Sequence, residues 1–142
     1  MIAFDTNILV YAHRKDSAFH DRARACVQRA AESTEAWAIP WPCVHEFLAI
    51  VTNARIFKSP TPPAAALAQV EAWLGSPSLR LLAEDVGYLD VLDKIVRDGR
   101  IAGAKVHDAR VAALALFHGV RELLTADRDF SRFPAVVTRN PL

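Results

Sequence analysis

Residues 2–7 read Ile2-Ala3-Phe4-Asp5-Thr6-Asn7, an apolar run that changes abruptly to three polar residues. The apolar part predicts a short buried strand, and Asp5 stands where that strand would turn into a helix that includes Ile8. Asp and Asn are common at such turns because their side-chain oxygens accept hydrogen bonds from free backbone N–H groups. Helix capping is therefore the ordinary interpretation of Asp5 taken alone.

Helical and strand-like segments alternate along the rest of the chain. Further strands are expected at residues 36–39, 79–83, 122–125 and 135–138. Helices are expected at residues 8–13, 17–31, 44–51, 61–75, 89–99 and 108–118. Thr61 is expected to cap one helix that Gly75 ends, and Gly99 and Gly119 are expected to end two later ones. This alternation predicts an α/β fold with a central, mainly parallel sheet flanked by helices, whose ligand sites lie beyond the C-terminal ends of the strands.

The composition is that of a globular chain. It has 142 residues, of which 52% are hydrophobic and 23% charged, with a net charge of +1. These values exclude a disordered or fibrous chain, and the length predicts one domain over residues 1–142. No apolar run reaches the roughly 18–20 residues of a membrane span, and no basic leader is present, so neither membrane insertion nor secretion is expected. The only cysteines, Cys26 and Cys43, form no CxxC motif, which favours a reducing cytoplasm over a disulfide framework or zinc site.

Positive charge is unevenly distributed. Arginine supplies 13 of the 17 cations, and residues 94–142 hold nine Lys and Arg against five Asp and Glu. A solvated face is the ordinary interpretation of so small an excess. Nucleic-acid binding is compatible with it but is not required.

Three further acids stand near expected strand ends and helix starts. Glu46 lies one turn into an otherwise apolar helix, Asp108 opens an Ala-rich helix, and Asp127 follows the fourth strand. Each has an ordinary interpretation as well. Glu46 fits the polar edge of its helix, Asp108 complements the helix dipole, and Asp127 suits an Asx-turn.

Together with Asp5, these acids favour a metal site, because all four can lie at one edge of the sheet. Like charges about 4 Å apart repel by on the order of 4 kcal/mol at an effective dielectric of 20. A fold keeps such a cluster when protons or cations neutralise it. Oxygen ligands without thiolates or an obligatory histidine favour Mg²⁺ or Mn²⁺.

Four motifs in this order resemble a PIN domain. They are residues 2–7, the early-helix Glu46, His107-Asp108-Ala109 before an Ala-rich helix, and residues 125–130. The resemblance runs from residue 1 to about residue 138 and is greatest to the VapC-type toxins of bacterial type II toxin–antitoxin pairs. It implies a PIN-like three-layer sandwich and a Mg²⁺-dependent endoribonuclease, with Mn²⁺ as an alternative ion.

The resemblance also implies roles for individual residues. The acids that match the catalytic, metal-binding positions are Asp5, Glu46, Asp108 and Asp127. Asp5 and Asp108 match the direct ligands, whereas Asp129 is a second candidate for the place of Asp127. The polar residues at supporting positions are Asn7 and Thr125. His45 and His107 adjoin the acids but match no catalytic position.

Cations near the acidic motifs in sequence are candidates for binding substrate phosphates. They are Arg97, Arg100, Lys105, Arg110 and Arg128. The partners implied by the resemblance are an RNA substrate, a cognate VapB-type antitoxin and a second copy of the chain in a homodimer. The antitoxin's C-terminal segment would place a basic residue among the carboxylates, as a charge-assisted hydrogen bond allows.

Other functions suit an acidic α/β domain. A phosphatase with an Asp nucleophile usually has a second acid two residues after the first, where this chain has Asn7. A signal-receiving domain requires paired acids after its first strand, and the stretch from Asp5 to Asn7 lacks the pair. The main alternative is a noncatalytic PIN-like module that binds RNA or a protein, although such a module has no physical reason to keep mutually repelling carboxylates.

Overall fold

The computed structural model describes residues 1–142 and contains one five-stranded sheet. Its strands are β1 (Ile2–Phe4), β2 (Trp37–Pro40), β3 (Leu79–Leu82), β4 (Glu122–Leu124) and β5 (Thr138–Arg139). Their order across the sheet is β3-β2-β1-β4-β5, and every neighbouring pair is parallel. The predicted α/β fold with a parallel sheet is thus confirmed.

Six α-helices and one 3₁₀ helix connect the strands. They are α1 (Thr6–His13), α2 (His20–Glu32), α3 (Trp41–Val51), α4 (Pro63–Leu74), α5 (Tyr88–Gly99), α6 (Lys105–Phe117) and the 3₁₀ helix η1 (Arg128–Arg132). Helix α1 packs against α2 and α3, and α5 packs against α6. None of the helices combines the length and the apolar character needed to cross a bilayer.

The core is a continuous cluster of buried apolar residues contributed by strands and helices. Strand β1 buries Ala3 and Phe4 completely, as expected for a central strand covered on both faces. Helix α6 contributes Ala109, Ala112 and Ala113, all without exposed surface. Their small side chains allow α6 to pack closely within the fold, which positions its first turns near the strand ends.

The strand order creates a switch point between β1 and β4. The chain passes from β1 to β2 and β3 on one side, then crosses to β4 and β5 on the other. Phe4 is in register with Leu124, and the backbone N–H of Asp5 donates to the carbonyl of Leu124 at 3.0 Å. Asp5 and Thr125, which follow these two strands, therefore lie together at the edge where parallel sheets bind ligands.

Several expected element boundaries are wrong. Helix α2 begins at His20 rather than at residue 17, and α3 begins at Trp41 rather than at residue 44. Helix α6 begins at Lys105 rather than at Asp108, so Asp108 is the fourth residue of the helix. The apolar pattern of α6 starts only after Asp108, which hid its first turn. Strand β5 covers Thr138–Arg139 instead of residues 135–138, and Val136 packs into the core from the preceding loop.

One expected helix cap is wrong, and two glycines end their helices as expected but without the left-handed conformation. Pro62 precedes α4 without a side-chain capping hydrogen bond, and the Thr61 hydroxyl is hydrogen-bonded to the side chains of His13 and Arg14. Gly75 follows α4 in a right-handed conformation, with φ −66°. Gly99 is the last residue of α5, and the left-handed position falls on Arg100 (φ 49°). The Gly119 prediction is confirmed, since this glycine has φ 68° just after α6.

Candidate active site

Asp5 is the most buried acid at the switch point, with 6% of its surface exposed. Its Oδ1 accepts the N–H of Thr6 at 2.8 Å, so Asp5 caps α1 as its ordinary interpretation predicts. Its Oδ2 accepts hydrogen bonds from the Thr125 hydroxyl at 2.7 Å and from Asn7 Nδ2 at 3.2 Å. The Cys43 thiol donates to Oδ1 at 3.7 Å. Four donors therefore hold the carboxylate in one orientation.

The surroundings of Asp5 nevertheless oppose its ionisation. Burial raises the pKa of Asp5 from 3.8 to about 6, against the lowering effect of the hydrogen bonds from Thr125 and Thr6. The negative charge of Glu46 raises it further. A cation at this position would favour the ionised form.

Glu46 is joined to Asp5 through α1. It lies on the exposed edge of α3, as predicted for a polar residue on an apolar helix. The Thr6 hydroxyl donates to Glu46 Oε2 at 2.9 Å, and the Thr6 N–H donates to Asp5. The first residue of α1 thus connects the two acids.

Asp108 on α6 and Glu46 on α3 line a cavity of about 580 Å³, the acidic cavity. Partial burial raises the pKa of Asp108, and the charges of Asp127 and Glu46 act in the same direction. Lys105 opposes this effect, with its Nζ 3.8 Å from Asp108 Oδ2. Asp108 is therefore an electrostatic neighbour of acids from two other elements.

Asp127 and Asp129 differ in their partners. Asp127 Oδ1 accepts the N–H of Asp129 at 2.8 Å and caps η1, which confirms the expected Asx-type turn. Asp129 forms an ion pair with Lys105, which holds the pKa of Asp129 below its usual range. Asp127 makes no ion pair. Of the two, Asp127 is the one whose charge no cation of the chain neutralises directly.

Asn7 and Thr125 tie the ends of β1 and β4 together. Asn7 Nδ2 donates to the Thr125 hydroxyl oxygen at 3.2 Å as well as to Asp5, and Asn7 Oδ1 accepts the N–H of Ala126 at 3.1 Å. Thr125 Oγ1 also accepts the N–H of Asp127 at 3.0 Å. These hydrogen bonds therefore link Asp5, Asn7 and Thr125 to Asp127.

The four acids lie near one another without enclosing a metal position. No three His, Cys, Asp or Glu side chains are arranged to hold a metal ion in these conformations. The chemistry of the set still fits a hard cation, because its donors are carboxylate oxygens. Burial, together with the charges of neighbouring acids, raises the pKa values of Asp5 and Asp108, and a bound cation would favour the ionised form of both.

Two of the candidate phosphate-binding cations border the acids. Lys105 contacts Asp108 and pairs with Asp129, and Arg110 lines the acidic cavity while pairing with Glu84. Each cation is thus held by an acid outside the set of four, Lys105 by Asp129 and Arg110 by Glu84.

The other three candidates have no hydrogen bond or ion pair with the four acids. Arg97 pairs with Asp93 on the exposed surface of α5, at 2.8 Å. Arg100 follows α5, and Arg128 begins η1. Proximity in sequence alone therefore does not bring these three cations into contact with the acids, and their phosphate binding stays a prediction.

Sequence reasoning missed two contributors to the site. Thr6 bridges Asp5 and Glu46, and Cys43 donates to Asp5 from α3. Cys43 stands three residues before Glu46, a spacing that places both on neighbouring turns of one helix. That spacing was the available signal for Cys43.

The fold and these acids define an α/β protein with a carboxylate-rich site at the switch point of a parallel sheet. Residues 2–136 match the family model described as PIN domain. The chain is 34% identical over 142 residues to the VapC ribonuclease Mb2897 of Mycobacterium bovis, covering 100% of this chain and 96% of that protein. The chain therefore belongs to the PIN-domain family and, within it, to the VapC type.

Solved structures show the same fold. VapBC2 from Rickettsia felis, bound to a DNA fragment from its promoter, contains a chain with a TM-score of 0.72 and 21% identity, covering 99% of this chain and 98% of that one. VapC20 of Mycobacterium tuberculosis, a toxin that cleaves the sarcin–ricin loop, has a TM-score of 0.64 and 20% identity. The match covers 92% of this chain and 93% of that one. The predicted PIN-like architecture is confirmed.

Proposed function

We propose that residues 1–142 form a single PIN domain that hydrolyses RNA phosphodiester bonds as a divalent-metal-dependent endoribonuclease, the toxin of a toxin–antitoxin pair. The observation that carries this proposal is the electrostatic coupling of Asp5, Glu46 and Asp108 at the switch point, where burial and like charge raise two pKa values. The ribonuclease names of relatives such as the Mycobacterium bovis protein support the same reaction.

The metal would be Mg²⁺, with Mn²⁺ as an alternative, held by Asp5, Glu46, Asp108 and Asp127. Asp127 is preferred to Asp129 because Lys105 already neutralises Asp129. When bound, such an ion polarises the scissile phosphate and lowers the pKa of a bound water. Glu46 is exposed and can change rotamer, which a closer ligand set would require.

The chain's other residues position these groups and the substrate. Asn7 and Thr125 hold the Asp5 carboxylate in its orientation through hydrogen bonds. Lys105 and Arg110 supply positive charge at the edge of the acidic cavity, where a substrate phosphate can exchange for their present carboxylate partners. Hydrolysis by an activated water requires no protein nucleophile.

The proposal includes two protein partners. A cognate VapB-type antitoxin would neutralise the enzyme by placing a basic residue among the carboxylates, and a VapBC pair is what the Rickettsia felis structure contains. A homodimer in the cytoplasm is the expected form of the free toxin. Light scattering on the purified chain tests the dimer.

RNA cleavage by purified protein tests the proposed function. The wild type is expected to cleave total RNA in Mg²⁺, and EDTA is expected to abolish the cleavage. Asp108→Asn is expected to lose at least about 100-fold in rate, because it removes a ligand from the ion that stabilises the transition state. The matched control is Asp98→Asn, an exposed acid on α5 that pairs only with Lys94 and should leave the rate unchanged.

The opposite results have a clear meaning. Cleavage that persists in EDTA, or that Asp108→Asn leaves at the wild-type rate, overturns the metal-dependent mechanism. RNA binding without any cleavage in Mg²⁺ or Mn²⁺ identifies a noncatalytic PIN-like module instead.

A further inference from the structure

Helix α3 begins with an aromatic side chain that the core does not use. Trp41 is 36% exposed, whereas Trp37 and Trp73 are 1% and 7% exposed. The two buried indoles are explained by packing in the core. A single exposed apolar residue is ordinary on a protein surface, so the position of Trp41 is informative only through its neighbours.

One of these neighbours is His45, one turn further along α3. The two rings lie with centroids 6.0 Å apart and planes inclined by 40°. His45 Nδ1 is 3.0 Å from the carbonyl oxygen of Trp41. Because a carbonyl can only accept, Nδ1 carries the proton in the neutral ring, and Nε2 is the acceptor. No hydrogen bond in the structure involves Nε2. The pair is thus an oriented aromatic surface with one free acceptor.

This pair borders the acidic cavity. His45 lines the cavity of about 580 Å³ together with Glu46 and Asp108, within the range of roughly 300–1,000 Å³ found for small-molecule clefts. His107 and Arg110 line it too. Walls that carry this many ionisable groups suit a phosphate-bearing ligand better than an apolar peptide segment.

We propose that Trp41 and His45 form a stacking platform for an unpaired base of the RNA, adjacent to the phosphate at the acidic site. This inference rests on the proposed function in taking RNA as the ligand. Proteins recognise single-stranded RNA by stacking splayed bases on aromatic side chains and by hydrogen bonding to base edges. Trp41 supplies the stacking face, and His45 Nε2 accepts a hydrogen bond from a base amino group or a ribose 2′-OH. Both are substrate-positioning residues that take no part in bond cleavage.

Equilibrium binding in EDTA tests the platform without cleavage. The probes are a short fluorescein-labelled single-stranded RNA of mixed sequence and the corresponding RNA duplex. Trp41→Ala is expected to weaken binding of the single strand by about 5- to 150-fold, the range that loss of one stacked base produces, and to change duplex binding much less. Trp41→Phe keeps an aromatic face and should stay within about threefold of the wild type.

A second measurement separates stacking from a general structural role. Replacing one base at a time by an abasic ribose should identify a position at which the wild type loses affinity and Trp41→Ala does not. Phe19→Ala is the matched control, because Phe19 is 47% exposed and packs on Tyr11 as an aromatic pair that does not line the acidic cavity. It should bind RNA like the wild type. Urea unfolding of each variant checks that it is folded.

The outcomes distinguish this inference from the proposed function. Equal single-strand affinity of Trp41→Ala and the wild type overturns the platform, even if the wild type cleaves RNA. A Trp41→Ala variant that changes its mass in light scattering while RNA affinity stays constant also overturns it and places Trp41 in a protein interface. Loss of RNA binding in Trp41→Ala supports the platform, even if no metal ion restores cleavage by the wild type.

Discussion

The Asp5 carboxylate is held firmly by its neighbours at a cost to stability. Its pKa of about 6 in the folded chain lies above the ordinary 3.8, so the folded state binds a proton more tightly than the unfolded chain does. The resulting penalty is complete above pH 6 and disappears as the pH falls below 3.8. In metal-free protein, lowering the pH from 8 to 5 should relieve most of this penalty and so raise the free energy of unfolding by about 1.4 kcal/mol.

Urea unfolding of the wild type and of Asp5→Asn in EDTA measures this contribution. The amide does not titrate, so the difference between the two proteins should change by that amount over the pH range. A difference that stays constant with pH would show that Asp5 titrates normally.

Thr125 controls the orientation of Asp5. Its hydroxyl donates to Asp5 at 2.7 Å and accepts from Asn7 and from the backbone of Asp127. Thr125→Val keeps the shape and removes all three hydrogen bonds, so it should reduce Mg²⁺-dependent cleavage by about 10- to 100-fold, as loss of such supporting partners does at metal sites. The rate as a function of Mg²⁺ concentration is the measurement. Thr138→Val, on the exposed strand β5, is the control, and equal rates for both variants would refute the positioning role.

The functional residues were only partly predictable from the chain. The ordinary interpretations of Asp5 and Asp127 as caps are correct, and the same residues lie at the candidate site. Capping and metal binding are compatible because a carboxylate has two oxygens, each with two lone pairs. The spacing of Cys43 and Glu46 on one helix was a signal that the thiol lies near the site, but its hydrogen bond to Asp5 depends on how α3 packs against the end of β1.

A loop between α3 and α4 is fastened to the end of α1 by Arg14. The buried guanidinium donates to the Ser59 carbonyl at 2.8 Å and to the Thr61 hydroxyl at 3.2 Å, pairs with Asp16, and lies 4.1 Å over the centre of the Phe57 ring. These contacts explain why Thr61 does not cap α4. They also hold the segment that follows α3, the helix carrying Glu46.

Arg14→Ala should lower the free energy of unfolding by about 2–3 kcal/mol, because it leaves the Ser59 carbonyl without its donor and removes the cation–π contact with Phe57. Urea denaturation at pH 7 measures the loss. The control is Arg97→Ala, which breaks an exposed pair with Asp93 on α5 and should change stability by less than about 1 kcal/mol. Similar losses in both variants would show that the Arg14 contacts contribute no more than surface pairs do.

The apolar periodicity of the sequence predicted which helices and strands form more reliably than it predicted where they begin and end. The apolar spacing of Val44, Phe47, Leu48 and Val51 predicted the buried face of α3. Three of these residues are buried, and Leu48 is partly buried against the core. The predicted start of α6 and the predicted position of β5 were wrong, because neither segment carries a repeating apolar pattern. Their boundaries depend on tertiary contacts, such as that of Val136 with the core.

The arrangement of the whole sheet decides whether the acids meet. Alternating strands and helices predict a parallel sheet, but the same pattern is compatible with several strand orders. The order β3-β2-β1-β4-β5 places the residues after β1 and β4 side by side. Asp5 and Thr125 are 120 positions apart in the chain, and their 2.7 Å hydrogen bond is a consequence of topology rather than of local sequence.

Calorimetric titration of the metal-free protein with Mn²⁺ at pH 7.5 tests most directly whether the acids hold a divalent cation. We predict saturable binding to the wild type that Asp5→Asn and Asp108→Asn each abolish, while Asp98→Asn binds normally. Mg²⁺ should compete for the same site. Absence of saturable binding to the wild type, or binding that survives in both acidic-site variants, would contradict the account.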